Sequence, residues 1–267
     1  MVSNLESTQN PKQARPSLYN GFPSIDDLNS PEWSAEVAAL SSKDLGSLGI
    51  DGWRAHWSRV YEFPWAYGAI QAYSRAPTGQ RDVLESGCGV TPLPFWLAGE
   101  GFRVTGIDLD GSCEAKWRAT DVPCRPDTSM MIFERGDMLE LPRSDASFDL
   151  VYSISAIEHT SDPFQAVVEM LRVLKPGGHL VLTLDTDLAG TPFVSWPMLL
   201  EIQRLLEAAT RPVLPVRHVI PPRMLTFENR TIARQSPGRL LAKRLLDELG
   251  LRSRRDQTIF AWAGRKE

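Results

Sequence analysis

The sequence predicts an α/β fold, a doubly wound and mostly parallel sheet covered by helices on both faces, and three observations carry that prediction. From Arg81 onward, short apolar runs alternate with helical patterns, as they do when parallel strands are joined by helical crossovers. The first run ends in a glycine turn, Glu85-Ser86-Gly87-Cys88-Gly89, at the end of a strand where an open α/β sheet meets its ligand. The 267 residues are 42% hydrophobic and 23% charged, a balance that allows one large domain with a sizeable core.

Residues 1–30 are polar, interrupted by Pro11, Pro16 and Pro23, and lack either hydrophobic period; they are expected to form a flexible tail. Residues 31–78 are expected to be a helical N-terminal extension. Helices are predicted over 31–41 after Ser30-Pro31, over 51–60, and over 64–75 opened by Pro64. The aromatics of this stretch have the area to pack it onto the main domain. Trp57, Tyr61 and Trp65 are also candidates for a lid that touches substrate.

Residues 79–267 should form the main domain, with strands at 82–86, 103–107, 130–134, 148–154, 178–184 and 257–263. Thr91 is the expected N-cap of the helix after the glycine turn, with Pro92 as its first residue. Asp162-Pro163 opens a helix with Phe164, Val167, Val168, Leu171 and Leu174 on one face. Further helices are predicted over 195–209 and from Ser236-Pro237. Pro212, Pro215, Pro221 and Pro222 break regular structure, so 190–235 is expected to be a substrate-side insertion, with His218 as a candidate contact.

Several function classes are disfavoured by composition. A net charge of −4 gives no general attraction to nucleic acid or to an anionic membrane. The cluster Arg239, Lys243, Arg244, Arg252, Arg254 and Arg255 has no interleaved aromatics and reads as a solvated face. Cys88, Cys113 and Cys124 are odd in number and contain no C-x-x-C pair, which argues against a zinc site or disulfide frame and for a reducing compartment. No leader and no membrane-spanning run is visible, so a cytoplasmic location is expected. No group of acids is left over for a metal. Oligomeric state has no signature here.

Two ligands compete for the glycine turn. A dinucleotide fingerprint requires a third glycine where this chain has Pro92, which favours a nucleoside without pyrophosphate. Asp108, about twenty residues on at the end of the next strand, is placed to accept hydrogen bonds from two ribose hydroxyls. Asp110 fits a helix cap better.

Taken in order, the motifs resemble the class I S-adenosylmethionine-dependent methyltransferases, in particular the small-molecule group. Glu85-Ser86-Gly87-Cys88-Gly89 resembles the first family motif and Gly106-Ile107-Asp108 the second. Arg135-Gly136-Asp137-Met138-Leu139-Glu140-Leu141-Pro142 is similar to the third, Phe148 through His159 to the fourth, and Arg172-Val173-Leu174-Lys175-Pro176-Gly177-Gly178 to the turn into the fifth strand. The resemblance spans roughly residues 81–185. It implies a seven-stranded Rossmann-like sheet and S-adenosylmethionine as cofactor. It further implies that Gly87 and Gly89 admit the amino-acid moiety and that Glu85 orders the turn or reaches the ammonium through water. Asp108 with Leu109 would then take the ribose side, Asp137 and Met138 the adenine, and Ser153 would stand at the same strand ends. His159 is the candidate base, with a structural hydrogen bond as its competing role. The implied activity is methyl transfer to a small molecule, with an oxygen acceptor preferred. An NAD-dependent oxidoreductase and a non-catalytic cofactor-binding regulator stay open as alternatives.

Overall fold

The structure is a computed structural model and describes residues 16–43, 53–74, 81–119, 130–187, 194–220, 223–227 and 257–267. The body of the sheet is made of β2 (Asp82–Ser86), β3 (Arg103–Asp108), β4 (Met131–Arg135), β5 (Phe148–Ile154), β6 (Leu174–Asp187) and β10 (Gln257–Lys266). Their spatial order is β4-β3-β2-β5-β6-β10. The first five run parallel and β10 pairs antiparallel with β6 along its length. Four short strands extend this body: β1 (Asn20–Gly21), β7 (Val194–Ser195), β8 (Thr210–Pro212) and β9 (Val216–Arg217). Beyond β10, where the resemblance implies one more strand, the sheet continues through β1 and β9.

Alternation along the strands divides the core into two layers. Val83 of β2 and Leu150, Tyr152 and Ile154 of β5 pack on the face covered by α2 (Pro31–Ser41), which follows the short α1 (Ile25–Leu28), and by α3 (Arg59–Ser74) and α4 (Leu93–Ala98). Leu84 and Val151 point to the other face, under α6 (Pro163–Val173) and α7 (Trp196–Ala209). Helix α6 starts where the sequence places it, with the Asp162 carboxylate accepting the Gln165 N–H at 3.0 Å. The short helix α5 (Ser112–Ala119) is capped by Asp110, which accepts the Ser112 N–H at 2.9 Å.

The expected boundaries differ in three places. Residues 16–30 are docked rather than a tail: buried Asn20 donates from Nδ2 to the Ala263 carbonyl at 3.0 Å and accepts the Ala263 N–H at 2.8 Å, imitating a strand partner. Residues 1–15 lie outside the described residues. Segment 194–220 adds strands and α7 to the sheet, with Leu199, Ile202 and Leu206 buried in the second layer, so it is cover for the sheet and not a separate insertion. The helix expected from Ser236, the basic cluster and Cys124 also lie outside the described residues.

Helix α3 begins at Arg59 and carries Pro64 in its interior. A proline there cannot donate to the carbonyl four residues back, which is that of Val60. The indole N–H of Trp33 donates to it instead, at 3.1 Å, while the Trp33 ring stacks on Tyr61 at a centroid distance of 4.7 Å. Helix α2 therefore supplies the hydrogen bond that Pro64 removes. Trp33→Phe should cost about 1–2 kcal/mol in denaturant unfolding, and the cost should shrink when combined with Pro64→Ala. Additive effects of the two changes would disprove the compensation.

Candidate active site

The carboxyl ends of β2, β3 and β5 open into a cavity of about 480 Å³ whose lining includes Gly87, Gly89, Asp108, Asp137, Met138 and His159. The turn after β2 is held from below. Gly87 and Cys88 donate their N–H groups to the Ile107 carbonyl at 2.8 and 3.1 Å, and Trp117 donates its indole N–H to the Gly89 carbonyl at 2.9 Å. Gly87 has φ +72° and Gly89 φ +46°, in the left-handed region that favours glycine. A Cβ on Gly89 would meet no atom of the described residues within 4 Å. That open flank is where a ligand can lie against the main chain.

Asp108 braces the turn while facing the cavity. Its Oδ2 accepts the Gly89 N–H at 2.8 Å and its Oδ1 the Asp110 N–H at 2.9 Å, so the carboxylate is fixed and each oxygen keeps a lone pair for a hydroxyl donor. Asp137 accepts the Leu139 N–H at 2.9 Å and also lines the cavity, beside Met138 and Leu139. Leu109 lines it too and is 60% exposed, so its methyl groups are open to apolar contact. Two fixed carboxylates next to apolar side chains suit a nucleoside: acids for hydroxyl and amino donors, methyl groups for a ring face. The donor set thus fits the nucleoside part of the cofactor that the motifs imply.

Two of the expected contacts sit behind the wall. Ser153 is buried and donates to the Ser86 carbonyl at 2.8 Å, tying β5 to β2. Glu85 is also buried and outside the cavity lining. Its Oε1 accepts the Thr91 hydroxyl at 3.1 Å, and its Oε2 has no hydrogen-bond partner among the described residues. Thr91 is therefore committed to Glu85 and does not cap α4, which starts at Leu93 with no side-chain cap. Burial pushes the Glu85 carboxyl up to about 8, with the negative charge of Asp108 adding to the effect against the Thr91 bond. Such a group holds its proton more tightly in the fold than in the unfolded chain. Its contribution is complete below about pH 4.3 and is lost as pH rises through about 8. Glu85→Gln should accordingly gain about 2 kcal/mol or more over wild type at pH 8 and nothing at pH 4. Equal differences at both pH values in urea melts would show that Glu85 folds ionised.

After β5 the chain makes a sharp exit. Ser155 has φ +42°, and a short 3-10 turn, Ile157–His159, follows. His159 lines the cavity; burial and then the positive charge of Arg59 lower its pKa, so the imidazole is neutral at pH 7. Its neighbour Glu158 is buried, with Oε1 accepting the Asp185 N–H at 3.3 Å and Oε2 without a partner among the described residues. Burial and the adjacent Asp185 charge hold the Glu158 pKa well above the usual carboxylate range.

The expected substrate contacts do not line this cavity. Tyr61 and Trp65 are core residues, the first stacked on Trp33 and the second donating its indole N–H to the Tyr19 carbonyl at 2.9 Å. Trp57 is buried against Phe227. A lid made of these rings is corrected to packing: their area is spent inside α3 and its contacts. His218 is exposed just after β9. Arg59, from the same aromatic-rich stretch, is the residue of this group that reaches the cavity, together with Ser155, Thr160 and Ser161 from the β5 exit. A single arginine among aromatics carries no motif, which is why the sequence did not single it out.

Among the described residues no group of His, Cys, Asp and Glu is arranged to hold a metal ion. No described helix is long and apolar enough to cross a membrane.

A family model described as "Methyltransferase domain" matches residues 84–182. A probable S-adenosylmethionine-dependent methyltransferase of Mycolicibacterium smegmatis is 35% identical over 118 residues, 44% of this chain and 43% of the relative. The 27-O-demethylrifamycin SV methyltransferase of Amycolatopsis mediterranei is 35% identical over 102 residues, 38% of this chain and 37% of the relative. The chain spans less than half the length of these curated relatives. Among solved structures, the Haemonchus contortus phosphoethanolamine N-methyltransferase 2 in complex with S-adenosyl-L-methionine superposes with a TM-score of 0.51 at 18% identity, covering 90% of this chain and 59% of that one; this likeness concerns the fold. Sheet order, motif order and the family match agree in likening residues 84–182 to the class I S-adenosylmethionine-dependent methyltransferases.

Proposed function

We propose that the protein transfers a methyl group from S-adenosylmethionine to a small-molecule acceptor, by preference to an oxygen atom, and does so in the cytoplasm. The observation that carries the reading is the open flank of Gly89 lying in one cavity with the Asp108 and Asp137 carboxylates. When bound, the cofactor supplies a methyl group already activated on a sulfonium, so alignment and exclusion of water can provide much of the rate. Asp108 takes the ribose hydroxyls, Asp137 the adenine amino group, and Met138 and Leu109 pack on the apolar faces. Glu85 orders the turn from behind through Thr91. His159, kept neutral by its surroundings, accepts the proton that a hydroxyl acceptor must lose. A relative named 27-O-demethylrifamycin SV methyltransferase is in keeping with an oxygen acceptor, although another is named norajmaline N-methyltransferase.

The test has two arms. S-Adenosylhomocysteine should raise the melting temperature and NAD should not; the reverse would return the oxidoreductase reading. Methyl-labelled cofactor incubated with fractionated cell extract should then yield a labelled small product, whereas binding with no turnover on any fraction would favour a regulator. Once an acceptor is known, His159→Ala should lower kcat by about 100-fold or more. An unchanged kcat at saturating acceptor would reduce His159 to a structural role.

A further inference from the structure

The cavity has two chemically different ends. Asp108 and Asp137 stand at the ends of β3 and β4, and the β5 exit is up to three strand positions away from them in the sheet order, a separation of about 14 Å at ordinary strand spacing. At the β5 end, the described lining side chains with polar atoms are Arg59, Ser155, His159, Thr160 and Ser161. This set holds one permanent cation, a neutral imidazole and hydroxyls, and no carboxylate. Glu62, Glu158 and Asp185 are close by but buried and outside the lining.

Arg59 is held in the wall by a built socket. Its Nη1 donates to Glu62 Oε2 at 2.8 Å and to the Ile154 carbonyl at 3.4 Å, and its Nη2 donates to the Ser155 carbonyl at 3.3 Å. Glu62 is fully buried and is fixed in turn by the hydroxyls of Ser155 and Thr183, the latter at 2.6 Å. A guanidinium has five N–H donors, so its Nε–H and one Nη2–H have no acceptor among the described residues. A mostly buried, oriented arginine with donors to spare at a cavity wall is suited to an oxyanion, which it can grip through two parallel hydrogen bonds. An ammonium arriving at the same end would meet a fixed positive charge and no lining carboxylate to offset it, a repulsion that rejects as well as selects.

We propose that Arg59 anchors a carboxylate carried by the methyl acceptor, so that the acceptors of this site are organic acids rather than amines. The inference rests on the methyltransferase reading of the same cavity and adds the acceptor class to it. Glu62 acts as a positioning residue by fixing the guanidinium against the β5 exit.

The full chain is titrated with benzoate, benzyl alcohol and benzylamine, three probes of similar shape, each with and without S-adenosylhomocysteine, and binding is followed by ligand-observed NMR. Benzoate should bind best to wild type. Arg59→Gln should weaken benzoate by about tenfold or more and leave benzyl alcohol unchanged, with Arg59→Lys in between. If Arg59→Gln fails to fold, Arg59→Met combined with Glu62→Met removes the pair without stranding a buried charge and is read in the same way. Three results would overturn the proposal: benzylamine binding as well as benzoate, benzoate unaffected by the loss of Arg59, or loss of Arg59 weakening S-adenosylhomocysteine tenfold while the preference for acid stays. The last would assign the arginine to the cofactor's own carboxylate. Failure of S-adenosylhomocysteine to bind wild type would instead remove the methyltransferase reading, and the probe comparison without it would still decide the role of Arg59.

Discussion

Gly87→Val is expected to abolish S-adenosylhomocysteine binding while a folded protein remains. A Cβ at Gly87 would lie 2.4 Å from Met138 Cε and 2.6 Å from Ala156 Cβ. Both neighbours line the cavity, so relief of the overlap must push side chains into the ligand's space or lift the turn off β3. The positive φ adds strain of about 1–2 kcal/mol for any L side chain, more for a β-branched one, and overpacking adds about as much again. Together these fall short of the stability of an ordinary domain. Affinity should fall by more than about 100-fold, since the change acts where the cofactor touches the main chain. Gly89→Ala isolates the second half of the argument. Its methyl group meets no atom of the described residues within 4 Å, so stability should fall by only about 1–2 kcal/mol, yet the methyl occupies the open flank and should weaken binding measurably. Calorimetric titration of both variants checks the pair, and wild-type affinity in Gly89→Ala would move the cofactor away from this turn.

Glu62→Ala should be the most destabilising single change outside the apolar core, at about 3–5 kcal/mol. The carboxylate is completely buried and is the partner of Arg59, and it also accepts from Ser155 and Thr183. Its removal strands a mostly buried guanidinium and takes the acceptor from two buried hydroxyls. Burial opposes the Glu62 charge, but Arg59 and the hydroxyls of Ser155, Thr183 and Ser58 outweigh it and leave its pKa below the usual range. An acid with a lowered folded pKa contributes stability above its unfolded value, near 4.3, and loses it as pH falls through the folded one. The gap between wild type and Glu62→Ala in urea melts should therefore be full at pH 7 and narrow below about pH 4. A gap that stays constant down to pH 3 would mean that Glu62 is not ionised in the fold.

The legible parts of the sequence were those where a local rule and the tertiary structure ask for the same thing. Strand β2 and the glycine turn were readable because Val83 and Leu84 must face opposite helical layers and Gly87 must take a positive φ. Asp108, Asp110 and Asp162 were readable from their places at strand and helix ends. Illegible features came from partners distant in sequence. Pro64 looked like a helix start because local chemistry does not disclose that Trp33 will take the Val60 carbonyl. Thr91 looked like a cap because nothing nearby reveals that Glu85 folds without a charged partner and claims its hydroxyl. Tyr61 and Trp65 read as candidates for substrate contact as well as for packing because aromatic rings serve both through the same area. Arg59 was passed over for the opposite reason: its importance arises only when α3 is laid across the ends of β5 and β6.

The pairing of Asn20 with Ala263 also constrains the route to the native state. The two residues are 243 positions apart, and Gly21 meets Ala261 on the same edge. Loop-closure entropy makes such distant contacts late and slow. The parallel body, β2 to β6, can gather itself from successive strand and helix units, but the segment before α2 has no edge to dock on until β10 has come to lie against β6. Until then Tyr19 and Trp65 lack each other's cover. During synthesis on the ribosome this leaves an aromatic surface waiting for a strand made some two hundred residues later, and a chaperone that shields apolar surface would act on it in that interval.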